Sequence, residues 1–125
     1  MGKILQESEF VNALLNHHSL SELQSILGDD LYPITHMFAK QLPGDVERLG
    51  ALLASNDMAA VRQLAHAIKG SSANLGAQEL ARLAGLIEQG AQRNAADEAH
   101  TAMAQLHEVA QQTLQTMQAG GFLQR

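Results

Sequence analysis

The chain of 125 residues has no cysteine and no tryptophan, and only two prolines. Without cysteine there is no disulfide framework, no thiolate metal site and no cysteine nucleophile. With one tyrosine and three phenylalanines, the interior must be built from Leu, Ile, Val, Met and Ala, which suits closely packed helices better than a sheet. Basic residues are scarce as well. Eight Lys and Arg stand against 13 Asp and Glu, for a net charge of -5, and they are scattered. That excludes nucleic acid as the expected partner, because phosphate backbones need a concentrated cationic surface. No apolar run approaches the roughly 20 residues that span a bilayer, so no membrane partner is expected. Residues 1–7 lack a signal-peptide core and meet acidic residues at once, so cytoplasmic residence is the simplest expectation. The length suits one domain with a real core.

What the chain does have is helical periodicity. Ile4, Leu5, Phe10, Val11, Leu14 and Leu15 keep a helical spacing, with Ser8-Glu9 a candidate start and Asn16 to Ser19 an interruption. His17 and His18 diverge by about 100° on a helix and cannot chelate one ion together; they read as a polar turn. A short helix follows from Ser21, with Leu20, Leu23, Ile26 and Leu27 apolar, ending at Gly28. Asp29-Asp30 then offers an N-cap, and Pro33 falls in the first turn. From Leu31 an apolar stripe runs through Ile34, Met37, Phe38, Leu42, Val46, Leu49, Leu52 and Leu53. It keeps phase across Pro43-Gly44, which predicts one long helix with a kink at the proline. Further helices are predicted over about 58–75, from Gln78 until the pattern fades into Gly90-Ala91-Gln92, and over about 97–118. Residues 94–97 read as a turn, and Phe122-Leu123 trail behind Gly120-Gly121.

Four amphipathic helices joined by short turns must bury their stripes on one another. The prediction is an all-α, antiparallel up-down-up-down four-helix bundle with one or two short N-terminal helices.

One stretch, Ala65 to Gly76, departs from ordinary bundle chemistry. On a helical wheel with Val61 at zero, Leu64, Ala65, Ile68 and Leu75 fall within about 60° and define the buried stripe. His66 lies at about 140° and Gly70 at about 180°, facing away from the core. Arg62, Lys69, Ala59 and Ala73 share that outward face. Glycine costs about 1 kcal/mol relative to alanine in a helix interior, yet Gly70 sits one turn after the histidine. Small residues around one imidazole make sense if another molecule must approach that ring closely. Lys69, three residues on, is a neighbour on the same face. A cation there does nothing for metal binding, but it would pair with the oxygens of a phosphoryl group carried on the ring. Neutral imidazole is nucleophilic near neutral pH, so the pattern fits phosphoryl transfer through a covalent intermediate.

At these residues the sequence resembles the histidine-containing phosphotransfer (HPt) domains of bacterial phosphorelays. The matching positions are His66, Lys69, Gly70, Ser71, Ser72, Leu75, Gly76 and Ala77, in the order H-x-x-K-G-S/A-S/A-x-x-L/V-G-A, continued by Leu80, Leu83, Ile87 and Glu88. The resemblance covers residues 19–125 as the bundle and leaves 1–18 as an N-terminal extension. It implies that His66 is phosphorylated by an aspartyl phosphate of a response-regulator receiver domain and that Lys69 steadies the phosphoryl oxygens. It further implies that Gly70 gives the receiver loops room. Arg62, Ala59, Ala73 and Ser71 would form the docking face, with Ile34 and Met37 beside it. Many members carry a glutamine on the next helix near the histidine. The equivalent spacing here falls on Glu88, with Gln89 beside it. A Glu88 aimed at His66 would accept from the imidazole N–H and orient the ring, but would repel a phosphoryl group. The implied partners are receiver domains and a hybrid sensor histidine kinase. No cofactor is expected, since the metal and aspartate belong to the receiver, and a monomer is expected.

Rival readings fare worse. A self-phosphorylating kinase would need a glycine-rich nucleotide segment, and none occurs; an acidic residue would also follow the histidine, where Ala67 stands. No ATP-dependent kinase activity is therefore expected. Di-iron bundles need inward Glu-x-x-His pairs, and no glutamate here has a histidine three residues later. His100 and His107 lie too far apart for one ion, so no metal site is expected. A non-catalytic helical adaptor binding receiver or kinase domains is the alternative, and His66 with Lys69 argues against it.

Overall fold

Connections of three residues each, at 55–57, 75–77 and 93–95, fold four helices back on one another. The computed structural model describes residues 13–123; the apolar positions Ile4, Leu5, Phe10 and Val11 and the helix start expected at Ser8 lie outside the described residues. The helices are α1 (His17–Leu27), α2 (Leu31–Ala54), α3 (Met58–Asn74), α4 (Gln78–Gln92) and α5 (Ala96–Ala119), with a 3₁₀ turn at Gly28–Asp30. α3 packs on α4, α4 on α5, and α2 on both α3 and α5, which closes the ring of the expected up-down-up-down bundle. Leu49, Leu53, Val61, Leu80, Leu83, Ile87, Leu106 and Met117 are all but fully buried at its centre. Each contributes about 1.5–3 kcal/mol of transfer free energy. Leu14 and Leu15 are buried in the same core, ahead of the boundary expected at residue 19.

Several local expectations need correction. His17 and His18 do not form a polar turn. They open α1, because the Asn16 side chain accepts from the Ser19 N–H at 3.1 Å and caps the helix about one turn earlier than the start expected at Ser21. Asp30 makes no capping bond, since its own backbone is already helical (φ -68°, ψ -12°), whereas a capping residue is extended. α2 continues through Pro43 as one helix of 24 residues. α4 runs to Gln92, the end of the stretch over which its pattern fades. A Cβ at Gly90 would meet the Ala99 backbone nitrogen at 3.0 Å and the Ala95 carbonyl at 3.1 Å, so this glycine lets α5 start close against α4. The turn falls at 93–95 instead of 94–97, with Asn94 at φ +56° and α5 starting at Ala96.

The C-terminal residues do not trail. After the glycine pair, Phe122 turns inward and is buried, its ring 5.9 Å from that of His17. The buried Thr35 hydroxyl donates to the Phe122 carbonyl at 2.7 Å, and the His36 Nε2–H donates to the Leu123 carbonyl. The tail thereby ties the end of α5 to α1 and to the first turns of α2. On the opposite side of those same turns, Ile34 and Met37 leave the expected buried stripe and are 48% and 61% exposed. Ile26 of α1, also placed in a buried stripe, is exposed.

Candidate functional site

The tight 75–77 turn is what aligns the site. Gly76 takes φ +75°, and a Cβ there would meet the Asn16 carbonyl at 3.0 Å. α4 therefore returns directly along α3, and its Glu88 faces the outward side of α3 at His66 and Lys69. Those two positions, three apart on one helix, project together. Glu88 reaches both. Its Oε2 lies 2.6 Å from His66 Nδ1, and its Oε1 accepts from Lys69 Nζ at 2.5 Å.

The histidine side chain is 68% exposed, the lysine 39% and the glutamate only 16%. The carboxylate thus forms a recessed floor under an accessible ring. It sits below the usual carboxylate range, chiefly through the Lys69 hydrogen bond, against the opposing effect of burial, with the His66 hydrogen bond adding. An ionised carboxylate only accepts, so the ring must present N–H at Nδ1. In the neutral ring the free lone pair is then on Nε2, directed away from Glu88.

Glycines shape the surroundings in two ways. A Cβ at Gly85 would touch the Lys69 side-chain carbon Cδ at 3.4 Å, so the lysine stem crosses α4 over this residue on its way to Glu88. A Cβ at Gly70 would meet nothing within 4 Å. Packing within the chain therefore gives no reason for glycine at 70.

Two hollows border α3, and the first of them is lined by the histidine. On the α4 side a polar cavity of about 430 Å³ is lined by Arg62, Gln63, His66, Glu88 and Gln92. Arg62, exposed and one turn before His66, has no ion-pair partner among the described residues. On the α2 side an apolar groove of about 400 Å³ runs between α2 and α3, with Ile34, Met37 and Phe38 on one wall and Ile68, Ser71 and Leu75 on the other. Ser71 is exposed on this groove, whereas Ser72 is buried. Ala59 and Ala73 are exposed on α3, away from the ring itself.

Gln89, expected beside the histidine together with Glu88, is not there. Its side-chain oxygen accepts from Arg93 at 3.3 Å, on the exposed side of α4. Sequence reasoning missed Gln63, Gln92 and Gly85. Gln92 is one turn beyond Glu88 and Gly85 three residues before it, so the i, i+4 and i, i+3 rule applied to Glu88 finds both. Among the described residues no three His, Cys, Asp or Glu side chains cluster as a metal would need, and no helix is long and apolar enough to cross a membrane.

Comparison with known proteins gives one match: the family model described as Hpt domain fits residues 34–119. No curated protein and no solved structure matches the chain.

Proposed function

The chain belongs to the Hpt domain family, whose chemistry is histidine phosphotransfer in phosphorelays, and we propose that it carries a phosphoryl group on His66 between aspartates of response-regulator receiver domains. The observation that carries this reading is the exposed ring whose Nδ1–H is bound by Glu88 and whose Nε2 is free.

In the forward step Nε2 attacks the phosphorus of an aspartyl phosphate. An N–P bond forms, the acyl P–O bond breaks, and its electron pair leaves with the aspartate as carboxylate. The return step reverses the roles. Lys69 supplies the charge that a phosphoryl group at Nε2 attracts, by turning from Glu88 toward the new oxygens. Most of the remaining catalysis is positioning, which the docked receiver provides together with its own metal ion and aspartate.

Docking uses the open surface over Gly70 and the apolar groove of Ile34, Met37, Phe38 and Ile68. The groove shares α3 with His66, and Ile68 lies two residues from it. A receiver helix with an apolar face seated there would bring its phosphorylated aspartate over Nε2. Arg62, one turn before the histidine, offers a cation to the acidic pocket that surrounds such an aspartate. A hybrid sensor kinase bearing a receiver domain is the upstream partner.

The test is transfer of label from a phosphorylated receiver to this protein. Wild type becomes labelled and His66→Gln does not. Equal labelling of the variant overturns the assignment of His66.

A further inference from the structure

The Glu88 carboxylate lies against the one ring nitrogen that the phosphoryl group does not use. We propose that Glu88 is a positioning residue that holds the Nδ1 proton on the phosphorylated ring, so that the phosphoryl group departs from a neutral imidazole. The proposal rests on His66 being the phosphorylated residue and concerns how long it keeps its cargo.

When Nε2 of the Nδ1–H tautomer bonds to phosphorus, the ring carries both the proton and the phosphoryl group, and a positive charge spreads over it. If that proton is lost to water, breaking the N–P bond must expel an imidazolate, a poor leaving group. If it stays, the electron pair of the N–P bond returns to Nε2 and a neutral imidazole leaves. Proton retention therefore decides whether the phosphoryl group is labile. A carboxylate 2.6 Å from Nδ1 and only 16% exposed favours the charged ring, as the aspartate of a Ser-His-Asp triad stabilises its imidazolium.

The other charges around the ring modulate this effect without replacing it. Lys69 and Arg62, both on α3, oppose the proton; Lys69 is bound to the second oxygen of Glu88. From α4 the only charged group facing the ring is Glu88, since Gln92 of the same cavity is neutral, as is Gln63 of α3. From α2 the acid that lines the apolar groove on the other side of α3 is Asp45, which pairs with Arg48 at 2.8 Å. When Lys69 turns to the phosphoryl oxygens, the carboxylate loses its lysine partner and its charge falls on the ring alone. Loading the site thus strengthens the hold on the proton that makes unloading possible.

The experiment loads the protein with phosphoramidate, whose phosphorus is attacked by Nε2 with loss of ammonia and without any receiver. Phosphorus NMR then follows the loss of phosphohistidine to water across a pH series. Wild type, Glu88→Gln, Lys69→Ala and the double variant are compared. Glutamine keeps the side-chain length, so the helix pair is retained. Removing the negative charge is expected to move the pH midpoint of lability down by about one unit, the lower end of what an adjacent opposite charge imposes. Above both midpoints Glu88→Gln then loses phosphate about tenfold more slowly. The same displacement in the Lys69→Ala background shows that Glu88 acts through the ring proton. Profiles that superimpose, or a displacement that vanishes without Lys69, overturn the proposal while leaving His66 as the phosphorylated residue. Absence of phosphate from His66 overturns both.

Discussion

Gly70 offers a perturbation whose effects on folding and on binding should have opposite signs. Substituting Gly70→Gln places a side chain where a Cβ meets nothing within 4 Å, in the fourth turn of a helix of 17 residues. The native chain therefore suffers no clash, and the helix gains from removing a glycine. Glycine stands about 0.8–1 kcal/mol below alanine in helix propensity, and glutamine recovers most of that difference. A gain of about 0.5 kcal/mol is expected, which for a domain of this size raises Tm by roughly 1–3 °C. Thermal unfolding followed by circular dichroism reads this gain. Binding of the cognate receiver, read by calorimetry, should weaken, because the same open space is where the partner approaches His66. Gly70→Ala separates the two effects: its stability gain is as large, while its small methyl leaves binding closer to wild type. A destabilised Gly70→Gln protein would refute the packing argument. A stabilised protein that binds the receiver as well as wild type would refute the access argument.

The other expected outcomes concern the groove, the tail and the carboxylate. Met37→Glu alters an exposed side chain, so it should leave unfolding within about 0.5 kcal/mol of wild type and weaken receiver binding; unaltered binding would remove the groove from the interface. Phe122→Ala empties a buried ring site at the end of the bundle and should cost about 3–5 kcal/mol in urea unfolding, whereas a loose tail would cost nothing. For Glu88, the folded carboxyl is held below the usual range by Lys69 first. Its contribution is then complete above the unfolded-state value and is lost as pH falls through the folded value. The stability difference between wild type and Glu88→Gln should shrink below about pH 5; a difference that grows on acidification would contradict this.

Much of the fold was legible because four apolar stripes of period 3.6, short turns and a proline that does not break phase leave few alternatives to a bundle. The outward direction of His66 followed from the same wheel. What failed was decided by contacts distant in sequence. Ile34 and Met37 fit the α2 stripe by spacing, but no neighbouring helix covers that side of the first turns of α2, so they line an open groove, on the surface that the resemblance rather than the spacing suggested. Phe122 follows two glycines and looks detached, yet its carbonyl is held by Thr35, 87 residues away in sequence. Gly90 falls where the α4 pattern fades, and its role as a close-approach site needs the position of α5. At the site, spacing narrowed the partner of the ring to Glu88 or Gln89. Only the rotation of α4 about its axis distinguishes them, and adjacent residues differ by about 100° on the wheel.

The central claim is that the free Nε2 of His66 receives the phosphoryl group. Phosphorus–nitrogen NMR on protein loaded by a phosphorylated receiver tests it most directly. The account predicts a single phosphohistidine at residue 66, bonded through Nε2, with none on His66→Gln. Phosphate bonded to Nδ1, or carried on any other residue, would contradict it.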